Sequence, residues 1–350
     1  MSVAQLSVLV LICLQALLPA EATDITCKDP NGNSVDWFIV YKLPKISESP
    51  EPLIQDGLGH YYMDVNSQQW KLSEKSLNQS KHAIAYTLQQ IYDNHRQSNV
   101  VYLMYNDEWP SGKKTDRGHT KGDLCLDKSS GFWMVHSVPQ FPDFSNSTYF
   151  WPDNGLNNGQ TFLCVTFNYE EFTSIARQLK YMWPSVYDSH IPSAFAKVLP
   201  ELVEVVRGKH IMEPPWYRQE NLKSLAGQRF ISFAKTSQFD KDIYADWLAP
   251  YFQSSMRSET WQDGRGKMPS SCGEYKVENV QDIAFKQANF SETKDHSKWA
   301  VTTENKEWTC IGGINRQEGQ KERDGGSVCF EIPAVCKQFT SIISKVEECK

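Results

Sequence analysis

The tripeptide His-x-Lys occurs twice in this chain, as His119-Thr120-Lys121 and His296-Ser297-Lys298, once in each half. Both copies follow the same order of elements. In the first half, residues 35–43 are dense in β-branched and aromatic side chains, and residues 76–95 have helical apolar spacing. Residues 100–105 form a further apolar run, and a polar loop over 107–118 leads into the motif. Strands at 122–126 and 132–138 follow it, then a strand at 160–167 and a helix at 169–181. In the second half the order is a strand at 229–235, a helix at 240–256, a strand at 276–285, the motif, and strands at 299–302 and 308–314. This repetition predicts a duplicated α/β fold of the mixed, α+β kind, with sheets flanked by helices. A pseudo-two-fold axis would then bring both motifs to one site.

Residues 1–22 read as a secretory signal. The run 6–18 is almost wholly apolar, and Ala20-Glu21-Ala22 supplies a small-x-small cleavage pattern. At about 13 residues the run is shorter than the ~20 that a spanning helix needs. The rest of the chain exceeds a single typical core. Segment 207–221, with Pro214-Pro215, is the best linker candidate, dividing the chain into halves at 23–206 and 222–350 with one motif each.

Of nine Cys, Cys13 falls in the signal, leaving Cys27, Cys125, Cys164, Cys272, Cys310, Cys329, Cys336 and Cys349, an even set that suits disulfides in an exported chain. No Cys or His cluster has zinc spacing, which argues against a structural metal. Sequons at Asn78, Asn146 and Asn289 fit an exported, glycosylated surface. The formal charge of −6 at pH 7 argues against a polyanionic partner at neutral pH. All eight His lie beyond the signal, however, so acidification makes the chain cationic, near +3 once Glu21 is removed and every His is charged.

The chemistry follows from side-chain types and spacing. Residues i and i+2 on a strand project from one face, roughly 6–7 Å apart, so one His and one Lys reach the same phosphate. With two such pairs, one imidazole attacks phosphorus, the other protonates the leaving oxygen, and the two ammonium groups hold the non-bridging oxygens. No metal or cofactor is needed. Acidic residues do not cluster around either motif with metal-ligand spacing, so a metal-dependent nuclease is the least favoured reading.

Longer motifs sharpen this expectation. Gly118-His119-Thr120-Lys121-Gly122 is followed by Gly131-Phe132-Trp133-Met134-Val135-His136-Ser137-Val138-Pro139, and Asp295-His296-Ser297-Lys298-Trp299 by Trp308-Thr309-Cys310-Ile311-Gly312 and Asn315-Arg316. Together with Val35-Asp36-Trp37-Phe38 and Tyr41-Lys42-Leu43-Pro44, these resemble the deoxyribonuclease II family from about residue 25 to Cys349, with a lean towards its beta-like branch. The resemblance implies a phospholipase-D-like duplicated fold. It also implies an acid, metal-independent endodeoxyribonuclease of lysosomes, or secreted, that leaves 3′-phosphate and 5′-hydroxyl ends through a phosphohistidine.

On the same basis His119, Lys121, His296 and Lys298 are the catalytic set, with DNA the partner and a single chain sufficient for a complete site. The resemblance gives the bridges Cys27–Cys164, Cys272–Cys349 and Cys310–Cys329, leaving Cys125 and Cys336 either to pair or to stay as buried free thiols, with a lean towards free. By internal symmetry His136, Ser137 and Asn315 lie beside the catalytic pairs, with Ser137 and Asn315 either phosphate contacts or imidazole supports, or else strand-end caps. Arg316 joins Lys113, Lys114 and Arg117 along a DNA groove. Trp133 and Trp299 read as core rather than base-stacking platforms.

Gly313 departs from the family, which carries Asp there. Losing that carboxylate favours a second reading, a weakened or silent nucleic-acid-binding paralogue. A phospholipase-D-like lipid phosphodiesterase is a third.

Overall fold

The computed structural model describes residues 24–304 and 306–349, and the signal expected at 1–22 lies outside them. Two large sheets face one another. The first is antiparallel throughout, formed by β1 (Trp37–Lys42), β2 (His60–Asp64), β3 (Ser67–Leu72), β4 (Val101–Tyr105), β5 (Gly122–Leu126), β6 (Ser130–His136), β7 (Gln160–Asn168) and β8 (Val186–His190), in the order β8-β4-β5-β6-β7-β1-β2-β3.

The second comprises β9 (Tyr217–Lys223), β10 (Arg229–Lys235), β11 (Met256–Thr260), β12 (Ser271–Cys272), β13 (Lys276–Phe285), β14 (Ala288–Ser291), β15 (Lys298–Thr302), β16 (Trp308–Gly312), β17 (Gly325–Glu331) and β18 (Ile343–Glu347). Its order is β9-β10-β17-β16-β15-β11-β13-β12, with β14 and β18 also on β13 and one parallel pair, β11 with β13. Five strands of each sheet therefore run in the same order. β4-β5-β6-β7-β1 matches β11-β15-β16-β17-β10, every adjacent pair antiparallel.

The strand residues alternate between faces as the β period requires. In β1, Trp37, Ile39 and Tyr41 point into a core shared by both sheets, while Phe38 and Val40 pack on the other face against the helix Ala83–Asp93. In β15, Trp299 and Val301 enter the shared core and Ala300 turns away from it. The helices Glu171–Met182, Pro200–Val206 and Pro333–Ser341 also contribute to that core, so the two halves of the chain are bound by common apolar packing.

Several elements differ from the sequence expectation. The helix expected over 240–256 is reduced to a π-turn at Tyr244–Leu248 and one α-turn at Ala249–Phe252, followed directly by β11. Pro250 has no N–H to offer the preceding turn, and Gln253 ends the helix in a left-handed conformation at φ 51°. The segment 207–221 runs into an edge strand, and Tyr217–Lys223 pairs along its whole length with β10. Cys27–Cys164, Cys272–Cys349 and Cys310–Cys329 are disulfides, and Cys125 and Cys336 are buried free thiols. Asn78, Asn146 and Asn289 are all exposed. No described helix is long and apolar enough to cross a membrane.

A shared core makes unfolding a single event for both halves. Ile39→Ala and Val301→Ala, each a buried truncation on a different sheet, are expected to cost about 2–4 kcal/mol. Each is expected to move one common urea transition read by tryptophan fluorescence. Two separate transitions, each sensitive to only one substitution, would contradict a shared core.

Candidate active site

Each His-x-Lys motif lies in the bend entering a central strand of its sheet, rather than within the strand. Lys121 directly precedes β5, and Lys298 is the first residue of β15. The second bend is built by Asp295, whose Oδ1 accepts the Ser297 N–H (2.9 Å) and whose Oδ2 accepts the Ser297 hydroxyl (2.9 Å). Tyr41 from the opposite sheet donates its hydroxyl to Asp295, and the Trp299 indole donates to Tyr41 at 3.2 Å. In the first bend there is no room for a side chain before the histidine, because a Cβ on Gly118 would meet the Met182 carbonyl oxygen at 1.8 Å.

The two bends are anchored by the same exchange between halves. The His119 N–H donates to the carbonyl of Asp324 (2.8 Å), the residue just before β17. The His296 N–H donates to the carbonyl of Gly159 (2.8 Å), the residue just before β7. β7 and β17 hold the same place in the two matching sheet orders. A second pairing follows. Lys42 opposes Gln160, the first residue of β7, and donates to the carbonyls of Leu156 (2.5 Å) and Asn158 (2.8 Å). Lys235 opposes Gly325, the first residue of β17, and donates to those of Gln320 (3.2 Å), Lys321 (2.8 Å) and Arg323 (2.5 Å). Two buried ammonium groups thus brace the two loops that hold the histidine backbones.

His119 is half-buried. Its Nδ1 donates to the Gly313 carbonyl at 2.5 Å, which fixes the tautomer and leaves Nε2 facing the site. Gly313 is therefore no gap left by a missing carboxylate. Its carbonyl orients the imidazole, and a Cβ there would lie 2.4 Å from the His119 carbonyl oxygen. Burial and the charge of Lys121 hold His119 well below the ordinary imidazole range, with Asp107 pulling the other way. His296 packs edge-on against Trp261 (4.9 Å between ring centres), and burial with Lys298 and Lys121 lowers it to about 3.

Lys298 donates to the His296 carbonyl (2.6 Å) and is lowered to about 7 by burial and by Lys121. Lys298 also acts on His119, as Lys121 does on His296, so the four groups form one electrostatic unit drawn from both halves.

The remaining residues expected at the site are buried around it, and the His136 N–H donates to the Lys121 carbonyl (3.2 Å). His136 is buried against Phe162, accepts the Val138 N–H at Nδ1 (3.2 Å), and lies 3.6 Å from the buried Asp123. Ser137 donates to Gln160 (2.6 Å) and accepts from the Thr161 N–H (3.0 Å), tying β6 to β7. Asn315 is buried, and its N–H donates to Gln320 (3.4 Å). Arg316, expected along the DNA groove, is 1% exposed. It is ion-paired to Asp242 (2.9 Å) and donates to Asn279, so its guanidinium has no solvent face with which to reach a phosphate. Trp133 and Trp299 are core residues. Lys113 and Lys114 are exposed and Arg117 partly so, on the loop before His119, with Lys113 over the Trp109 ring.

Sequence reasoning missed Asp107 and Arg323. Asp107 contacts Lys121 directly and lies 3.9 Å from His119 and 3.7 Å from Arg323. Lys121 and His119 hold its carboxyl below the usual carboxylate range despite burial. Asp107 was visible at the start of the polar loop over 107–118, yet nothing in its local spacing ties it to a motif 12 residues on. Glu259, opposite Trp299 and acting on Lys298 through its charge, was missed too. Burial raises it well above its ordinary range, and neither of its oxygens has a hydrogen-bond partner.

Residues 26–349 match the family model described as deoxyribonuclease II. Among individual relatives, plancitoxin-1 of Acanthaster planci is 47% identical, with 99% of each chain covered. Deoxyribonuclease-2-alpha of Sus scrofa is 41% identical over 97% of this chain and 94% of its own. Deoxyribonuclease-2-beta of Homo sapiens is 36% identical over 94% and 93%. These identities give the expected lean towards the beta-like branch no support.

The buried ion pair gives a direct check on Arg316. Arg316→Met is expected to lower stability by about 3–5 kcal/mol, because it strands the Asp242 carboxylate, while KM for DNA in the folded fraction stays within about twofold. A stable variant with a raised KM would return Arg316 to the DNA surface.

Proposed function

This chain belongs to the deoxyribonuclease II family, and on that premise we propose that it is an acid, metal-independent endodeoxyribonuclease using both His-x-Lys motifs as one site. The observation that carries this reading is the reciprocal pinning of the two motifs, His119 to the Asp324 carbonyl and His296 to the Gly159 carbonyl, with each lysine's charge also acting on the imidazole of the other half. The matching five-strand orders and the reciprocal Asp324 and Gly159 bonds support a phospholipase-D-like pseudo-two-fold, with halves at 23–206 and 222–350. A single chain then holds a complete site.

In this mechanism one imidazole attacks phosphorus and the other gives its proton to the departing 5′ oxygen. The intermediate is a phosphohistidine linked to the 3′ oxygen. The second imidazole then takes a proton from water, whose oxygen displaces the histidine and leaves a 3′-phosphate. Lys121 and Lys298 offset the charge that builds on the non-bridging oxygens. Lys113, Lys114 and Arg117 on one side, with Arg265 and Lys267 on the loop after β11, supply contacts to the DNA backbone and no base-reading element, so cleavage has little sequence preference.

The acid requirement follows from the same charges. Two buried lysines disfavour an imidazolium, so the proton needed by the leaving oxygen is available only in acid, helped by the incoming phosphate. Lys298, lowered to about 7, is an ammonium below that pH and loses its charge above it. A lysosomal site of action, reached through the secretory pathway, fits this dependence, as do three disulfides and exposed sequons. The silent-paralogue reading loses its main ground, since the Gly313 carbonyl supplies the imidazole orientation for which a carboxylate was invoked.

Plasmid cleavage in EDTA tests this reading. The protein is expected to cut at pH ~5, to lose at least about 100-fold of its rate in His296→Ala, and to leave 3′-phosphate ends. Its kcat/KM is expected to fall as pH rises through about 7, where Lys298 is deprotonated. Cleavage abolished by EDTA, or a His296→Ala variant as active as the parent, would refute it.

A further inference from the structure

The two-histidine site already contains an anion. One oxygen of Asp107 contacts the Lys121 ammonium, and the other lies 3.7 Å from Arg323 Nη2 and 3.9 Å from His119 Nε2. Lys298, from the other motif, also feels this charge. A carboxylate that presents its two oxygens to different cations has the outline of a phosphodiester presenting its two non-bridging oxygens. The second half has no carboxylate at the matching position, and its nearest acid, Asp295, is spent on Tyr41 and Ser297. Counting from the strand partners, Tyr105 opposite Gly122 and Thr260 opposite Lys298, the position matching Asp107 is Trp261, an aromatic ring against His296. At this matched position the site therefore carries one carboxylate rather than two, as a single scissile phosphate requires.

Arg323 is the second observation. It stands on the second half, immediately before the Asp324 carbonyl that anchors His119. Its Nη2 donates to the Arg117 carbonyl (2.7 Å), while its Nε is buried without a hydrogen-bond partner. The guanidinium is therefore held at the site with donor capacity unspent, and at 3.7 Å from Asp107 it makes an ion pair rather than a hydrogen bond.

We propose that Asp107 holds the place of the scissile phosphate in the free enzyme, and that Arg323 is a third phosphate-binding cation beside Lys121 and Lys298 once DNA displaces that carboxylate. This rests on the reading of the site as a phosphodiester-cleaving centre. The carboxylate keeps Lys121 and Arg323 in place before substrate arrives. A phosphate entering between the imidazoles takes over both cations, and the Asp107 side chain turns away. Asp107 therefore competes with substrate, whereas a residue that positioned His119 would assist it.

The test measures binding of inorganic phosphate, a monoanion at pH 5, by calorimetry, beside steady-state cleavage of plasmid DNA. Asp107→Asn is expected to bind phosphate about tenfold more tightly and to lower KM for DNA. Arg323→Gln is expected to weaken phosphate binding and raise KM about tenfold, with most of the loss restored in Arg323→Lys. Unchanged or weaker phosphate binding in Asp107→Asn, with a fall in kcat, would make Asp107 a positioning residue and overturn the proposal. So would phosphate binding in Arg323→Gln equal to the parent's. If Asp107→Asn does not fold, Asp107→Ser and the Arg323 pair decide the matter. Phosphate affinity is read without catalysis, so a parent protein that binds phosphate but cuts no DNA would fail the nuclease reading alone.

Discussion

The structure depends on two backbone hydrogen bonds that cross between halves, His119 to Asp324 and His296 to Gly159. Two-histidine chemistry on one phosphorus tolerates little error, since a misplacement of about 1 Å costs on the order of 100-fold in rate. Here each imidazole is carried on its own sheet but pinned by the other one. Small movements between halves would break both bonds together, so the site and the sheet packing are specified jointly. The shared core supplies the adhesion, and the two crossing bonds supply the register.

Electrostatics gives the site its second character. Lys42, Lys235 and Lys298 are buried, and burial lowers each of them. Lys42 and Lys235 are satisfied entirely by backbone carbonyls, which suits a bracing role. Lys298 has one carbonyl partner and the influence of Lys121, which with burial lowers it to about 7. Burial also raises Asp295 and Glu259, limiting how far these carboxylates neutralise Lys298. Acid activity in this account is a property of the buried cations as much as of the imidazoles.

Much of this was legible in the sequence. The sequence of elements around the two motifs, with β1, β4 and β16 among them, follows from apolar runs dense in β-branched and aromatic residues and from repetition. Polar edge strands did not show. Ser67–Leu72 and Tyr217–Lys223 alternate with exposed polar residues, and the latter reads locally as linker. Arg316 was misjudged because a basic residue next to a motif looks solvent-facing, and only the fold brings Asp242 and Asn279 to it. Asp107 and Arg323 were beyond reach for the same reason: a 3.7 Å contact between residues more than 200 positions apart has no local signature. Gly313 was legible as an anomaly and not as a function, since the group it contributes is a carbonyl that every residue has.

The most direct measurement of the central claim is a crystal structure of the enzyme with bound vanadate or tungstate, which mimic a phosphoryl group in transfer. The account predicts one metal-oxyanion between the two imidazoles, bonded to one Nε2 and hydrogen-bonded through an apical oxygen to the other, with Lys121 and Lys298 on its equatorial oxygens. An oxyanion bound at only one motif, with the second imidazole out of reach, would contradict a site composed of both halves.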